Sequence, residues 1–409
     1  MGIICGDESI MPWAVRTLLT ISAVAFPLFL YVFFRTGTTV GSLYPRAKGT
    51  ARWTATFVLA WLFSVPLFIF ISRLAGSGLT LLDLEGPTGV SDLLFLYPFW
   101  ICLVIVAELL SPFILLDLAG LASRLVPARR ERWWRLLGRT RLALVAIALV
   151  YVPLRVAIDT AHVRDEAVNL NVPGVPGELR GLRVTLLGDI QVDRYTGRSM
   201  IDAIHEIVRA HRPELLLSSG DVVTSGTGYL DQATDALCGI SGSLATIGVM
   251  GDHDQWSAPD AIRTIHRKCG WTFLENEHRV VTWKGKRILV TGITHIYSQR
   301  LDPGRFDRIV DRAPEADLRI LLVHQPAEWL VHRAAARGYS LVVAGHTHGG
   351  QIVFHPLGVP LTPSMRETQY YSGTYHVGQT AVVVTDGVGL TLAPIRYHAT
   401  SEVTTIALN

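Results

Sequence analysis

Five apolar stretches of this 409-residue chain each stop on a residue able to bind metal. The last is the densest: in Leu341-Val-Val-Ala-Gly-His-Thr-His-Gly-Gly-Gln351 a β-branched run ends at two histidines one residue apart. Such a run reads as a buried strand. Alternate side chains of an extended segment point the same way, so His346 and His348 can reach one cluster of ions. The glycines let the backbone turn beside it. The same device recurs upstream. Strand 184–187 ends at Gly188-Asp189-Ile-Gln191, strand 215–217 at Gly220-Asp221, strand 245–249 at Gly251-Asp252-His253-Asp254, and strand 320–323 at His324. A single Asp after a strand is ordinarily a turn or a helix cap. Five coincidences point instead to a site, because open α/β sheets bind ligands just beyond the carboxyl ends of their strands.

The elements that must position these residues alternate. Helical periodicity covers 199–210, 229–240, 259–268 and 327–336, between the strands already named. Residues 271–273 continue the third unit. A hairpin pairs 279–283 with 287–291 through Lys284-Gly285-Lys286, and strands 380–385 and 402–408 close the chain. A Pro/Gly-punctuated stretch, 169–183, leads into the first core strand.

The other half is of a different kind. The chain is 49% hydrophobic and 17% charged, with a mean hydropathy of +0.34, too apolar for an ordinary soluble enzyme. The excess lies in residues 1–160, ahead of a globular part over 161–409. Four segments, about 17–34, 53–71, 93–116 and 142–158, are long and apolar enough to span a bilayer. Pro27, Pro66, Pro112 and Pro153 interrupt them, which membrane helices tolerate. Asp7 and Glu8 precede the first, so it is read as a retained span and not a cleavable signal.

The connections carry unequal charge. Arg35, Arg46, Lys48 and Arg52 lie after span one, and Arg124, Arg129, Arg130, Arg132, Arg135, Arg139 and Arg141 before span four. Between spans two and three stand Arg73, Asp83, Glu85 and Asp92. Positive loops stay in the cytoplasm, which puts both the N-terminus and the globular part outside a cell membrane crossed several times. The stretch 129–139, with Trp133 and Trp134, is read as an interfacial helix. Glu108, inside the third span, is read as a helix–helix hydrogen-bonding group, and the helical half as an anchor.

The net charge of +3, without a basic patch interleaved with aromatics, excludes nucleic acid as an expected partner. Cys5, Cys102, Cys238 and Cys269 lack metal-ligand spacing. Cys238 and Cys269 are read as two buried thiols, with pairing open to them in an oxidising compartment. His355, His376 and His398 are read as structural or exposed. Trp256 and His295 are set beside the site or in the core, and Arg396 near substrate or in a surface ion pair.

The ordered set of strand-end residues resembles the calcineurin-like metallophosphoesterase superfamily over about residues 172–409. Its pattern runs Asp-x-His, Gly-Asp-x-x-Asp, Gly-Asn-His-Asp/Glu, a lone His, then Gly-His-x-His. The Gly-His-Thr-His-Gly-Gly-Gln run and the closing stretch Asp386–Arg396 are similar to its exported, membrane-associated bacterial branch, and animal transmembrane proteins with a metallophosphoesterase domain look alike in layout. The resemblance implies a two-sheet β-sandwich flanked by helices, joined to an all-α transmembrane region of four helices. It also implies two divalent metal ions. Asp189, Gln191 and His348 would hold the first, Asp252, His324 and His346 the second, and Asp221 would bridge them. His253 would face the leaving group.

Three positions depart from the pattern: Gln191 stands for His, Asp252 for Asn and Thr224 for the last Asp of Gly-Asp-x-x-Asp. The first two offer harder oxygen ligands, which favours Mn, Fe or Mg over Zn. The third removes the carboxylate that would orient His253, and Asp254 is expected to replace it. With three carboxylates and one metal-activated hydroxide, two divalent ions come close to neutrality, which favours a diester or pyrophosphate bond over a monoester.

The expectation is therefore a membrane-anchored phosphoesterase with the lipid bilayer as partner and a lipid-linked or envelope substrate. The alternative is a catalytically degenerate metal-binding ectodomain serving as sensor or scaffold, which Gln191 and Thr224 keep open. A transporter with a regulatory ectodomain rests on Glu108 alone. The sequence carries no reading of oligomeric state.

Overall fold

The computed structural model describes residues 13–76, 88–123 and 130–409. Cys5, Asp7, Glu8, Asp83, Glu85, Arg124 and Arg129 lie outside the described residues. The first half is helical: α1 (Trp13–Leu43), α2 (Lys48–Leu62), α3 (Ser64–Leu74), α4 (Tyr97–Ala122) and α5 (Arg130–Ala161). Three spans are long and apolar enough to cross a membrane, Val15–Leu43, Asp92–Ala122 and Arg130–Ala161. The pair α2 and α3 makes a fourth if taken together, bent by 49°. The break has a local cause. Pro66 has no N–H to give the Leu62 carbonyl, and its ring crowds that oxygen. The stretch expected as a separate interfacial helix is instead the first part of α5, continuous with the span. Nothing in its composition interrupts helical hydrogen bonding, so helix propagation carries through.

The second half is a two-sheet sandwich. Its strands are β1 (Arg164–Leu170), β2 (Arg183–Leu187), β3 (Leu215–Ser218), β4 (Ala245–Gly248), β5 (Thr272–Phe273), β6 (Glu277–Trp283), β7 (Lys286–Ile293), β8 (Leu318–Val323), β9 (Leu341–Ala344), β10 (Gly373–Val377), β11 (Thr380–Val384) and β12 (Glu402–Leu408). One sheet has the order β1-β12-β2-β3-β4-β5 and the other β10-β11-β9-β8-β7-β6. The ligand-bearing strands are adjacent and parallel within each sheet, β2, β3 and β4 in one and β8 and β9 in the other. Parallel pairing sends their carboxyl ends to the same edge.

Alternation sets the layers. Val184, Leu186, Leu215 and Leu217 meet Ile320, Leu322, Leu341 and Val343 in the core between the sheets. Leu187 and Leu216 face outward under helices α6 (Arg198–His211), α7 (Leu230–Leu237) and α9 (Pro259–Lys268), while the short α8 (Asp252–Ser257) follows β4. Leu321, Val323 and Val342 lie under α10 (Pro303–Val310) and α11 (Glu328–Ala336). Cys238 and Cys269 form a disulfide, which corrects the reading of two buried thiols: α7 and α9 pack side by side, and their ends bring the Cα atoms to 4.6 Å.

The two halves share a seam. Ala393, Ile395 and Tyr397 join the apolar core of the helical half, with Ile352, Phe354 and Leu392 packed against it. Polar contacts flank this foot. Arg194 pairs with Asp92, both nearly buried. Asp159, fully buried at the end of α5, accepts from the His398 amide and the Thr400 hydroxyl, each at 2.7 Å. Glu108 accepts from the Tyr397 hydroxyl at 2.9 Å, so its partner lies in the globular half and not on another helix.

Candidate metal centre

Five of the seven strand-end residues, all but Asp252 and His324, arrive on a backbone that ordinary side chains avoid. Asp189, Gln191, Asp221, His346 and His348 all have φ between 49° and 73°. A left-handed residue costs on the order of 1 kcal/mol, and non-glycine residues held there cluster at functional sites. The chain turns this sharply because the strands end in a crowded layer. A Cβ at Gly251 would fall on the Asp221 carboxylate, and one at Gly345 on that of Asp189. Glycine is required at both for close approach.

Two overlapping groups could hold metal among the described residues: Asp252, His324 and His346, and Asp189, Asp221 and His324. In each, one ligand atom from every residue lies within 4.8 Å of the others. His324 donates from Nδ1 to the Ser219 carbonyl at 2.8 Å, which turns Nε2 to Asp252 (2.8 Å) and Asp221 (3.3 Å). His346 turns Nδ1 to Asp252 at 3.3 Å and to His324 Nε2 at 3.2 Å. His348 stands beside Asp189, Nε2 to Oδ1 3.6 Å, and donates from Nδ1 to the Gly389 carbonyl. The structure thus brings together all seven expected ligands. Its one difference in grouping is that His324 sits between the two groups.

The charge pattern asks for a cation. Three buried carboxylates face the histidines, and burial, helped by the neighbouring Asp221 carboxylate and opposed by His324 and His346, pushes Asp189 up to about 6. His324 is raised well above its ordinary value by the facing carboxylates, against the opposing cost of burial. His346 is raised to about 9, with Asp252 and Glu367 outweighing burial. Burial, aided by the Arg396 cation, holds His348 neutral, the form that ligates metal. Gln191 makes the fit specific. Its Nε2 donates to Asp221 at 3.0 Å, while Oε1 is buried without a hydrogen-bond partner. An orphaned oxygen on an amide that touches the Asp221 carboxylate is what a neutral metal ligand looks like in the absence of its ion.

The expectation that Asp254 orients the His253 ring is not what the contacts give. Its carboxylate accepts from the amides of Asp221 and Val222 at 2.8 Å, Gly251 at 3.2 Å and Val223 at 3.3 Å. A carboxylate at the start of α8 is drawn to amides, and here it clamps the loop that carries Asp221. His253 instead donates from Nδ1 to the backbone carbonyl of Thr224 at 2.6 Å. The residue that lacks the expected carboxylate supplies the orienting oxygen from its main chain.

Sequence reasoning missed Glu367, which accepts from His346 Nε2 at 2.9 Å and fixes that ring. It follows an irregular stretch, and no periodicity or spacing marks it. Arg396 lies neither at the surface nor on substrate. Fully buried, it donates to the carbonyls of His348, Asp386, Gly387, Gly389 and Ala399, and so braces the loop behind His348. His295 is also buried and structural, accepting from the Leu301 amide at 3.1 Å. Trp256 lines the cavity beside the cluster, next to Tyr297.

That cavity, of about 610 Å³, is bounded by Asp221, Asp252, His253, His346 and His348 on one side. Residues 182–350 match a family model described as calcineurin-like phosphoesterase. A transmembrane protein with metallophosphoesterase domain from Danio rerio is 28% identical over 284 residues, covering 66% of this chain and 63% of its own length. The uncharacterized metallophosphoesterase YkuE of Bacillus subtilis is 24% identical over 239 residues, covering 57% of this chain and 81% of its own. Phosphodiesterase YaeI of Escherichia coli is 26% identical over 231 residues, covering 55% and 82% respectively. The chain therefore spans less than two thirds of the Danio rerio protein's length.

Proposed function

From a globular half that carries a calcineurin-like phosphoesterase domain, we propose a membrane-anchored, two-metal phosphoesterase that hydrolyses a phosphodiester or pyrophosphate bond of a lipid-linked or envelope substrate. The observation that carries this reading is the paired ligand group around His324, with the orphaned Gln191 oxygen beside it. Asp189, Gln191 and His348 would hold one ion, Asp252, His324 and His346 the other, and Asp221 both. Divalent ions in such a site supply Lewis acidity at the phosphoryl group and a water of lowered pKa.

The chain's own groups do the rest. His253 lies on the cavity wall with Nε2 3.4 Å from the Thr391 hydroxyl, and its tautomer is set by the Thr224 carbonyl. From there the imidazolium gives its Nε2 proton to the departing oxygen. Glu367 and Arg396 hold His346 and His348 in place, and Asp254 holds the Asp221 loop. Three carboxylates leave two divalent ions little spare positive charge, which supports a diester over a more highly charged monoester. The name of the YaeI relative agrees with that preference. The oxygen donors Gln191 and Asp252 support Mn, Fe or Mg over Zn.

Two features support an extracytoplasmic site. The basic residues Arg35, Arg46, Lys48, Arg52, Arg130 and Arg132 lie near the helix ends away from the seam. A disulfide between Cys238 and Cys269 suits an oxidising compartment. The test is direct. Detergent-purified protein, stripped of metal, should hydrolyse bis-p-nitrophenyl phosphate when Mn²⁺ is restored, and more slowly with Zn²⁺. Metal uptake without turnover of any diester or monoester would sink the enzyme reading.

A further inference from the structure

The cavity beside the metal cluster has a second wall that the chemistry does not require. It is made by Thr17 and Ile21 of α1 and Trp100 of α4, together with Ile352, Leu392 and Ala393 of the globular half. Thr17 and Ile21 are four residues apart, one above the other on one helix face. Ile21 lies about 12 Å along α1 from Trp13, at 1.5 Å per residue. This wall is therefore not a rim of the globular half. It is the interior side of helices long and apolar enough to cross a membrane.

Trp100 continues the same wall from α4, 3% exposed and packed in the apolar core of the helical half. A ligand that is apolar along most of its length would match this wall.

We propose that Thr17, Ile21, Trp100 and Leu392 form an acyl-chain subsite, so that the phosphodiester of a membrane lipid lies at the metal cluster while its tail stays against α1 and α4. The inference rests on the phosphodiesterase reading above and names the substrate class for it. A lipid held this way need not leave its own layer to react. A water-soluble diester would use the metal cluster alone and leave the helical wall idle.

The proposal is tested with p-nitrophenyl phosphodiesters whose second ester group is methyl, octyl or hexadecyl, assayed on the full chain in nanodiscs with Mn²⁺. The reacting bond is the same throughout, so the ratio of kcat/KM for the hexadecyl ester to that for the methyl ester reads the tail alone. Filling the subsite by Ile21→Trp should lower that ratio by about tenfold or more. An unchanged ratio, even with overall activity reduced, would overturn the subsite. If the methyl ester is not hydrolysed by the unsubstituted protein, the diesterase reading fails instead, and a measurement independent of turnover remains. A phosphatidylglycerol with a diazirine in its acyl chain should cross-link to Ile352 or Leu392, residues of the globular half. Adducts confined to the outer faces of α1 and α4 would overturn the proposal.

Discussion

Two regions of this molecule bury charge, and they do so in opposite ways. At the seam every named acid has a counterpart supplied by the chain: Asp92 has Arg194, Asp159 has Arg155 and two donors from the globular half, and Glu108 has the Tyr397 hydroxyl. At the metal cluster the accounts do not close. Asp189, Asp221 and Asp252 crowd His324 and His346 and raise both imidazoles above their ordinary value against the cost of burial. Balanced burial holds architecture together, whereas unbalanced burial marks a place that expects something from outside.

The contrast can be broken at either end. The largest effect is expected at the cluster. Asp221→Asn removes the carboxylate common to both proposed ions and should cut metal-dependent turnover by about 10³-fold, roughly 4 kcal/mol in barrier. Bound metal, counted by mass spectrometry, should fall with it. At the seam, Asp92→Asn deprives the nearly buried Arg194 of its carboxylate and should destabilise the folded protein by about 3 kcal/mol. Its metal content should stay unchanged, and loss of metal there would show that the two regions are not separable.

Metal removal sharpens the same point. An ion at about a hundred times its Kd adds about 2.7 kcal/mol, so chelation should lower the melting temperature of the intact protein. It should leave that of the Asp221→Asn variant nearly where it was. The smallest effect is Tyr397→Phe, which removes one hydrogen bond to Glu108 and should cost about 1 kcal/mol. A much larger loss would mean that Glu108 does more than receive the globular half.

The cluster was far more legible in the sequence than the seam. Asp189, Asp221, Asp252, His324, His346 and His348 all follow apolar runs, and residue type carries their meaning. Most strands and helices of the globular half follow from periodicity for the same reason. The edge strands β1 and β10 escaped notice because Arg164–Leu170 is charged and Gly373–Val377 is mostly exposed, so neither alternates cleanly. The short α8 and α10 are one or two turns long, too short to show a period. At the seam, Ala393, Ile395 and Tyr397 look like ordinary loop residues, and only their partners give them a role. Arg396 shows the limit best. A charged residue near a site suggests substrate or surface, yet this one is consumed by five main-chain carbonyls whose approach no local pattern announces.

Between Ala161, the last residue of α5, and Arg164, the first of β1, stand only His162 and Val163. Two residues reach about 7 Å at most. β1 is then locked parallel to β12 along its whole length, Arg164 to Leu170 against Glu402 to Leu408. The globular half therefore has no leash. Its cavity is held at one fixed height beside the ends of the helices, and a swing of that half away from them would have to unzip β1 from β12 first.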